Sequence, residues 1–296
     1  MFEVKGIMTA LITPFRAGTE LCVECLESMI RFQEENGIAG LYISGTYGEG
    51  VITPLDVRET LFRKTIEVAP SKITLLPHVG GADIETIIRL AKLAKDLGYP
   101  AVSVVGPLYH VPTRPGLVKF FGHIAKTDIP IVIYNNKGRQ GYNISPEDFD
   151  AIVKEVPHIV GIKDASYDVE QLLEYVIRFG SRRFIAGAGD SLLLYTFVVG
   201  APAHICGISN VLPEIAIDLY KAVTVGDLRK AAELQYKVIK LRKMIKGFGV
   251  ETQEVLRAML KLRGVDSGEP PMQLSHTLTE KQISELKSIL ENYLKQ

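Results

Sequence analysis

A lysine embedded in an apolar run offers the most reactive chemistry in this sequence. Lys163 follows the residues IVGI, so its side chain is expected to be buried near the end of a strand. Burial disfavours the ammonium form, lowers the pKa of the lysine and leaves an amine that can attack a carbonyl carbon. The alternative is an ion pair with a neighbouring carboxylate, Asp164 or Asp190. An imine between Lys163 and a keto substrate is the chemistry that we predict.

Three hydroxyl groups are expected to accompany this lysine. They belong to Thr46, Tyr134 and Tyr109, which come at or just past the ends of other apolar runs. Imine chemistry needs proton transfers at the carbinolamine and at the leaving aldehyde, and a tyrosine close to the imine can supply them. Each tyrosine alone is more often a half-buried amphipathic residue. Together with Lys163, the three hydroxyls indicate a proton relay.

Eight short apolar runs, bounded by Gly, Pro, Asn or Asp, predict the strands that position these groups. The runs are continuous rather than alternating, which is typical of strands buried on both faces of a parallel sheet. Helical patterns lie between them, so the predicted fold is α/β, a (β/α)₈ barrel of the TIM type with its active site at the carboxyl ends of the strands. The predicted strands are Gly6–Phe15, Gly40–Thr46, Ile73–Gly80, Ala101–Pro107, Pro130–Asn135, Ile159–Ser166, Arg183–Asp190 and Ala203–Asn210.

Helical periodicity separates the runs and then continues alone after the last of them. We predict a barrel over residues 1–212 and a C-terminal helical extension over residues 213–296 that packs on the barrel or on a neighbouring subunit. Crossover helices are predicted at Ile84–Leu97, Ser145–Val153, Leu172–Phe179 and Leu192–Val199. Helices of the extension are predicted at Pro213–Ala222, Leu228–Phe248, Glu251–Leu262 and Thr279–Leu294.

Two other architectures are disfavoured. A doubly wound open sheet needs a glycine-rich phosphate loop after its first strand, but the chain has TPFRAG there and contains neither GxGxxG nor a GxxxxGK(S/T) motif. A retaining glycosidase needs two carboxylates at strand ends, for which Glu49 and Asp190 are the only nominees. The barrel with a reactive lysine remains the better interpretation.

The composition points away from nucleic acid and membranes. Lys plus Arg equals Asp plus Glu, at 34 each, so no net field favours a polyanion. The chain begins with an early acidic residue and a short apolar run, and no apolar stretch reaches the length of a membrane span. We therefore expect a cytoplasmic enzyme that acts on small molecules.

Cysteines and histidines give no metal signature, so no metal and no cofactor are predicted. Three cysteines are too few for a disulfide framework and favour a reducing compartment. Cys22 and Cys25 form a CxxC without a second pair, inside a helical pattern that predicts simple packing. No HxH or HExxH pair exists, which disfavours a metal-dependent hydrolase or class II aldolase. The histidines are His78, His110, His123, His158, His204 and His276.

Several of these segments resemble the dihydrodipicolinate synthase/N-acetylneuraminate lyase family. Gly45–Glu49 (GTYGE) resembles the family signature GTTGE, and Tyr134–Gly141 (YNNKGRQG) resembles its YNxPxRTG stretch. Gly161–Ser166 (GIKDAS) is similar to its GIK(D/E)(A/S)(S/T) lysine motif. Gly189–Asp190 and Gly207–Asn210 are similar to its GDD and late-strand segments. All occur in family order over nearly the whole chain.

The resemblance implies a Schiff-base lyase or aldolase with pyruvate as the imine-forming substrate. Lys163 is then the nucleophile and Tyr134 the proton donor and acceptor. Thr46 is implied to bridge Tyr134 to Tyr109, a tyrosine that family members lend across a dimer contact. A homo-oligomer, dimer or tetramer, is therefore expected.

The same resemblance implies the substrate contacts. The Gly45–Tyr47 loop binds the pyruvate carboxylate through backbone N–H groups and the Thr46 hydroxyl, and Ile205 contributes a backbone carbonyl. The arginine that matches Arg139 binds the carboxylate of aspartate semialdehyde in the synthases, where a bidentate guanidinium suits the task. Arg139 therefore favours condensation of pyruvate with aspartate semialdehyde, a step of lysine biosynthesis.

Two departures keep an alternative open. Tyr47 replaces the second threonine of GTTGE, and Lys137 replaces the usual proline. An aldolase that cleaves a keto-deoxy sugar acid, or a lyase like the N-acetylneuraminate enzymes, could accommodate both changes. A degenerate barrel with a binding role is disfavoured because the lysine and the tyrosine relay are present, and borohydride trapping with pyruvate separates the two classes.

Overall fold

Eight parallel strands form a nearly closed barrel, which confirms the predicted fold. The computed structural model describes residues 2–16, 18–270 and 278–294, so His276 lies outside the described residues. The strands are β1 (Gly6–Ala10), β2 (Gly40–Ile43), β3 (Thr74–Pro77), β4 (Val102–Val105), β5 (Ile131–Asn135), β6 (Ile159–Asp164), β7 (Phe184–Ala188) and β8 (Ala203–Cys206). Their order is β3-β2-β1-β8-β7-β6-β5-β4. A single bridge between His78 and Ser103 joins β3 to β4 and brings the two ends together.

Helices fill the connections between the strands and continue after β8. They are α1 (Val23–Glu35), α2 (Leu55–Val68), α3 (Ile84–Asp96), α4 (Arg114–Ala125), α5 (Lys137–Gln140), α6 (Pro146–Glu155), α7 (Val169–Phe179), α8 (Leu193–Val198), α9 (Pro213–Thr224), α10 (Leu228–Gly247), α11 (Thr252–Leu262) and α12 (Glu280–Leu294). Ser145 caps α6 with the reciprocal hydrogen bonds of a capping box, and Pro146 occupies the first turn.

The strands bury side chains on both faces, which explains their continuous apolar runs. Along β1, Ile7 packs in the layer between the sheet and the helices, whereas Met8 and Ala10 pack inside the barrel. The interior layer is small and includes two tyrosines, Tyr42 and Tyr134. A polar side chain that points inward near the carboxyl ends of the strands is therefore surrounded by apolar and aromatic groups.

Most predicted strands end earlier in the structure than in the sequence analysis. The segment predicted as Ala203–Asn210 is a strand only to Cys206 and continues as a short 3₁₀ turn, Ile208–Asn210. The segment predicted as Arg183–Asp190 stops at Ala188, and Asp190 begins another 3₁₀ turn. Ile208, the apolar residue of the first turn, packs in the core layer between the sheet and the helices, so its burial does not come from further strand pairing.

The helices after β8 pack on the barrel of the same chain. Helix α9 contacts β1 and α8, so it occupies the place of the eighth crossover helix, although the sequence analysis assigned it to the extension. Helix α11 is fixed by Arg257, whose guanidinium donates to the carbonyl of Thr13 at 2.8 Å and pairs with Glu49. Helices α10 and α11 thereby reach the carboxyl-terminal mouth of the barrel.

The CxxC segment differs from its prediction. Cys22 and Cys25 are buried, but they are joined by a disulfide, so the interpretation of these residues as thiols that only pack is wrong. Their spacing of three residues at the start of α1 brings the side chains to one face of the helix. With Glu24 they form the one group of three residues of metal-binding type within the described residues, but the disulfide engages both sulfurs, and a cysteine binds metal as the thiolate.

None of the helices in residues 2–16, 18–270 and 278–294 has the length and apolar composition needed to cross a membrane.

Candidate active site

Lys163 lies inside the barrel at the level where the strands end. On β6 it pairs in register with Tyr134 of β5 and Ala186 of β7, and only 4% of its surface is exposed. Its Nζ lies 3.6 Å from the centre of the Tyr42 ring and 3.8 Å from that of Tyr134. Aromatic faces attract an ammonium group, but burial opposes its charge and lowers the pKa of Lys163 well below the ordinary value. The arrangement favours a neutral, nucleophilic amine.

Neither carboxylate considered as an ion-pair partner pairs with Lys163. Asp164 accepts hydrogen bonds from Asn135 and Ser166, on the outer side of β6. Asp190 pairs with Arg242 at 2.6 Å and also accepts from the backbone N–H groups of residues 207 and 208. No salt bridge joins Lys163 to a carboxylate of the described residues, so the ion-pair alternative is wrong.

The Tyr134 hydroxyl is the centre of a small hydrogen-bonded group. It lies 3.3 Å from the Oγ1 of Thr46 and accepts a hydrogen bond of 2.7 Å from the Nδ2 of Asn136. Burial raises the pKa of Tyr134, while the hydrogen bonds from Thr46 and Asn136 act in the opposite direction. The phenol is therefore protonated at neutral pH and lies beside the lysine amine, as an acid–base group at an imine must.

Tyr109 stands apart from this group within one subunit. It is 94% exposed, has a φ of 75° and contacts the His110 ring, with the ring centres 5.1 Å apart. The structure therefore brings three of the four predicted catalytic residues together, Lys163, Tyr134 and Thr46, and leaves Tyr109 at the surface.

The Gly45–Tyr47 turn lies just after β2, and Thr46 and Tyr47 line the cavity above Lys163. Among the described residues, none accepts a hydrogen bond from the backbone N–H of Thr46 or Tyr47. The Tyr47 ring crosses the barrel mouth to the loop after β8, where a Cβ on Gly207 would come within 2.5 Å of it. Glycine at position 207 therefore makes room for the tyrosine that replaces the family threonine.

Two buried groups hold this turn from behind, and the sequence analysis assigned neither of them a role. Arg58 donates from Nε to the Ser44 hydroxyl at 3.0 Å and from Nη2 to the His78 carbonyl at 2.8 Å. The His78 ring contacts the Ser44 carbonyl and accepts from the N–H of Val105. Burial, followed by the charge of Arg58, lowers the pKa of His78 well below its ordinary value, so the ring is neutral.

A cavity of about 280 Å³ opens above Lys163. Arg139, on the exposed face of α5, and Ile205 line it, as do Thr46, Tyr47 and Tyr134, so most of the predicted binding residues share one space. Gly45 instead lines a neighbouring pocket that shares Thr46 and Arg139 with this cavity. Further lining residues come from the C-terminal helices and were missed because no motif marks them: Arg242, Glu251, Thr252 and Gln253.

The two carboxylates nominated for glycosidase chemistry are both held by arginines. Glu49 pairs with Arg257, and Asp190 pairs with Arg242. These charge-assisted contacts give both carboxylates a structural role, since they hold the loops after β2 and β7 in place. The arrangement favours the lysine as the reactive group of the site.

Comparison with known proteins agrees with this site. A sequence model of the "Dihydrodipicolinate synthetase family" matches residues 3–293. The chain is 34% identical over 291 residues to a 4-hydroxy-tetrahydrodipicolinate synthase of Thermotoga neapolitana, covering 97% of each chain. The crystal structure of dihydrodipicolinate synthase from Thermotoga maritima is similar with a TM-score of 0.87 at 32% identity, over 97% of this chain and 98% of that one. A Proteus mirabilis N-acetylneuraminate lyase shares the fold, with a TM-score of 0.91 at 21% identity over 98% of this chain and 99% of that one.

This chain combines a (β/α)₈ barrel, a desolvated lysine amine over a tyrosine ring, and the relatives just described. It is a carbon–carbon lyase of the class I, Schiff-base-forming type. Within that class, the family match spans nearly the whole chain. The chain belongs to the dihydrodipicolinate synthetase family.

Proposed function

We propose that this enzyme condenses pyruvate with aspartate semialdehyde, as its relatives named 4-hydroxy-tetrahydrodipicolinate synthase indicate. The observation that carries the proposal is the buried Lys163 amine, 3.8 Å from the Tyr134 ring in a cavity that Arg139 also lines. The chemistry needs no cofactor, because the imine nitrogen itself accepts the electrons of the reacting carbon.

The proposed reaction begins at the lysine. The Nζ of Lys163 attacks the keto carbon of pyruvate, and the carbinolamine loses water to form the imine. Loss of a methyl proton gives the enamine, whose carbon attacks the aldehyde carbon of the second substrate and restores the imine. The amino group of that substrate then adds to the imine carbon, the Nζ of Lys163 leaves, and the ring-closed product is released. Tyr134 passes the protons of these steps, with Thr46 as its hydrogen-bonded neighbour.

The pyruvate carboxylate is proposed to bind at the Gly45–Tyr47 turn. Thr46 and Tyr47 line the cavity, their N–H groups have no acceptor among the described residues, and backbone donors in a turn suit an anion. The backbone carbonyl of Ile205, on the strand opposite, is proposed to contact the bound substrate. Borohydride reduction in the presence of pyruvate, followed by peptide mapping, tests the proposed function.

Arg139→Ala is expected to weaken binding of the second substrate selectively. Arg139 lies on the exposed face of α5 at the cavity mouth, where its guanidinium can pair with a carboxylate. Loss of a charge-assisted hydrogen bond of this kind is expected to raise the KM for aspartate semialdehyde roughly ten- to a hundredfold. Initial rates with each substrate varied in turn measure this effect.

The control for this variant is the pyruvate step. Borohydride trapping of pyruvate is expected to be unchanged in Arg139→Ala, because Lys163 and the Thr46 turn are untouched. Equal KM values for aspartate semialdehyde in wild type and variant would mean that Arg139 contacts solvent rather than substrate. That result would favour an aldolase that acts on neutral sugar aldehydes. That alternative draws on the polar lining from α10 and α11, Arg242 and Thr252, which could bind the hydroxyls of a sugar acid.

The subunits are expected to associate, with Tyr109 reaching the site of a partner copy. Tyr109 is almost fully exposed on an apolar loop that also exposes Val111, and exposed apolar groups of this kind favour contact with another surface. Sedimentation velocity at assay concentration is expected to show a dimer or tetramer. If the protein is active as a monomer, Tyr109 of a partner copy takes no part in the proton relay.

A further inference from the structure

Asn136 holds the Tyr134 hydroxyl more closely than any residue predicted from the sequence. Its Nδ2 lies 2.7 Å from the Tyr134 oxygen and 3.4 Å from the Oγ1 of Thr46. Thr46 itself lies 3.3 Å from Tyr134, so the three polar groups form a closed triangle. All three are supplied by one subunit. The amide therefore completes, without a partner, a hydrogen-bonded group around the phenol.

The backbone of Asn136 is fixed by the helix that follows it. Its carbonyl accepts hydrogen bonds from the N–H groups of Arg139 at 3.0 Å and Gln140 at 2.9 Å. The Gln140 side chain in turn donates to Asn135 at 3.0 Å, which ties α5 to the end of β5. Because both sides of the Asn136 backbone are anchored, its side chain starts from a fixed place beside the phenol, and the hydrogen bonds to Tyr134 and Thr46 hold the amide there.

The chemistry of an amide nitrogen fixes the direction of the hydrogen bond. The NH₂ of asparagine can only donate, so the Tyr134 oxygen must accept from Asn136. The phenol proton of Tyr134 is then left to point toward Thr46 or into the cavity. When Tyr134 gives up that proton, the same N–H stabilises the phenolate that forms, since hydrogen bonds to charged groups are stronger.

We propose that Asn136 is a positioning residue of the reaction: it orients the Tyr134 proton and stabilises the Tyr134 phenolate from within the same subunit. The inference rests on the proposed function, because it assigns Asn136 a role through Tyr134. The family stretch YNxPxRTG leaves this position open, so the role belongs to the residues of this chain.

Asn136→Asp tests the proposal through its dependence on pH. The substitution preserves the shape of the side chain. A protonated carboxyl can donate the hydrogen bond that the amide donates, but a carboxylate cannot. Relative to wild type, kcat of the variant is expected to be about 10- to 100-fold lower when the carboxyl is ionised. This deficit should shrink as the pH falls through the ordinary aspartate pKa of about 3.9, measured as the ratio of kcat values between pH 3.5 and 8.

Two further variants separate this effect from a structural one. Asn136→Ala lacks a donor at every pH and is expected to keep a constant deficit, without recovery in acid. Asn36→Asp makes the same chemical change at a partly buried amide that donates to the Phe32 carbonyl at the end of α1, and kcat is expected to match wild type. A kcat ratio for Asn136→Asp that is flat with pH, or an acid recovery shared by Asn136→Ala, would overturn the proposal.

Borohydride trapping distinguishes failure of this inference from failure of the proposed function. Wild type and all three variants are expected to form an end-point pyruvate adduct at Lys163. If wild type and Asn136→Asp both trap pyruvate and have equal kcat at all pH values, Asn136 has no role through Tyr134. If wild type itself traps no pyruvate, the proposed function fails and the inference falls with it.

Discussion

Lys163→Met is expected to abolish turnover and pyruvate trapping while leaving the barrel folded. Methionine fills a similar volume, so the contacts with the Tyr42 and Tyr134 rings are kept. Among the described residues that line the cavity, Lys163 supplies the one primary amine. We expect a fall in kcat on the order of 10⁶-fold, as when an enzyme loses its covalent residue. Rates with both substrates and mass spectrometry after borohydride reduction measure the effect.

The same variant is expected to be more stable than wild type at neutral pH. Burial lowers the pKa of Lys163 in the folded state, so the unfolded chain binds one more proton. Folding of wild type must release that proton, which costs free energy below the ordinary lysine pKa of about 10.4. The variant avoids this cost, and its advantage in the free energy of unfolding should shrink as the pH rises toward that value.

Lys119→Met, on the exposed face of α4, is the matched control for these measurements. It is expected to keep wild-type turnover, pyruvate trapping and pH dependence of stability. A trapped pyruvate adduct in Lys163→Met would place the imine on another lysine. A stability difference that does not change with pH would mean that Lys163 is charged in the folded state.

The site residues that could be predicted from the sequence are those that lie at the end of a strand. Lys163, Tyr134 and Thr46 follow apolar runs, and the barrel rule gathers strand ends at one mouth, so their proximity needed no knowledge of tertiary packing. The sequence shows that Tyr47 replaces the family threonine, but it does not predict the contact between Tyr47 and Gly207, because that contact joins the loops after β2 and β8.

The parts that the sequence analysis missed depend on long-range packing. Arg242 and Gln253 reach the cavity because α10 and α11 fold back over the barrel, and periodicity alone does not say where such helices dock. Gln253 donates to the Thr46 carbonyl at 3.2 Å, so the predicted extension also holds the Gly45–Tyr47 turn. The sequence analysis missed the disulfide between Cys22 and Cys25. The number of cysteines indicates whether a chain has a framework of several disulfides, but it does not indicate whether two neighbouring cysteines are bonded.

Tyr134→Phe is expected to lower kcat by about 10²–10⁴-fold, the usual contribution of general acid–base catalysis. The substitution removes one oxygen and keeps the ring that contacts Lys163, Tyr42 and His78. The nucleophile is retained, so borohydride should still trap pyruvate at Lys163, although more slowly because the carbinolamine loses its proton donor. Steady-state rates and the time course of trapping measure the two effects separately.

Tyr99→Phe is the matched control for loss of a buried tyrosine hydroxyl. The Tyr99 hydroxyl donates to the Phe62 carbonyl at 2.7 Å, so its removal is expected to lower stability by about 1 kcal/mol and leave kcat unchanged. Loss of turnover in Tyr134→Phe but not in Tyr99→Phe ties the effect to the relay rather than to weakened packing. If Tyr134→Phe turns over within a factor of two of wild type, another group moves the protons, and the exposed Tyr109 of a partner copy becomes the first candidate.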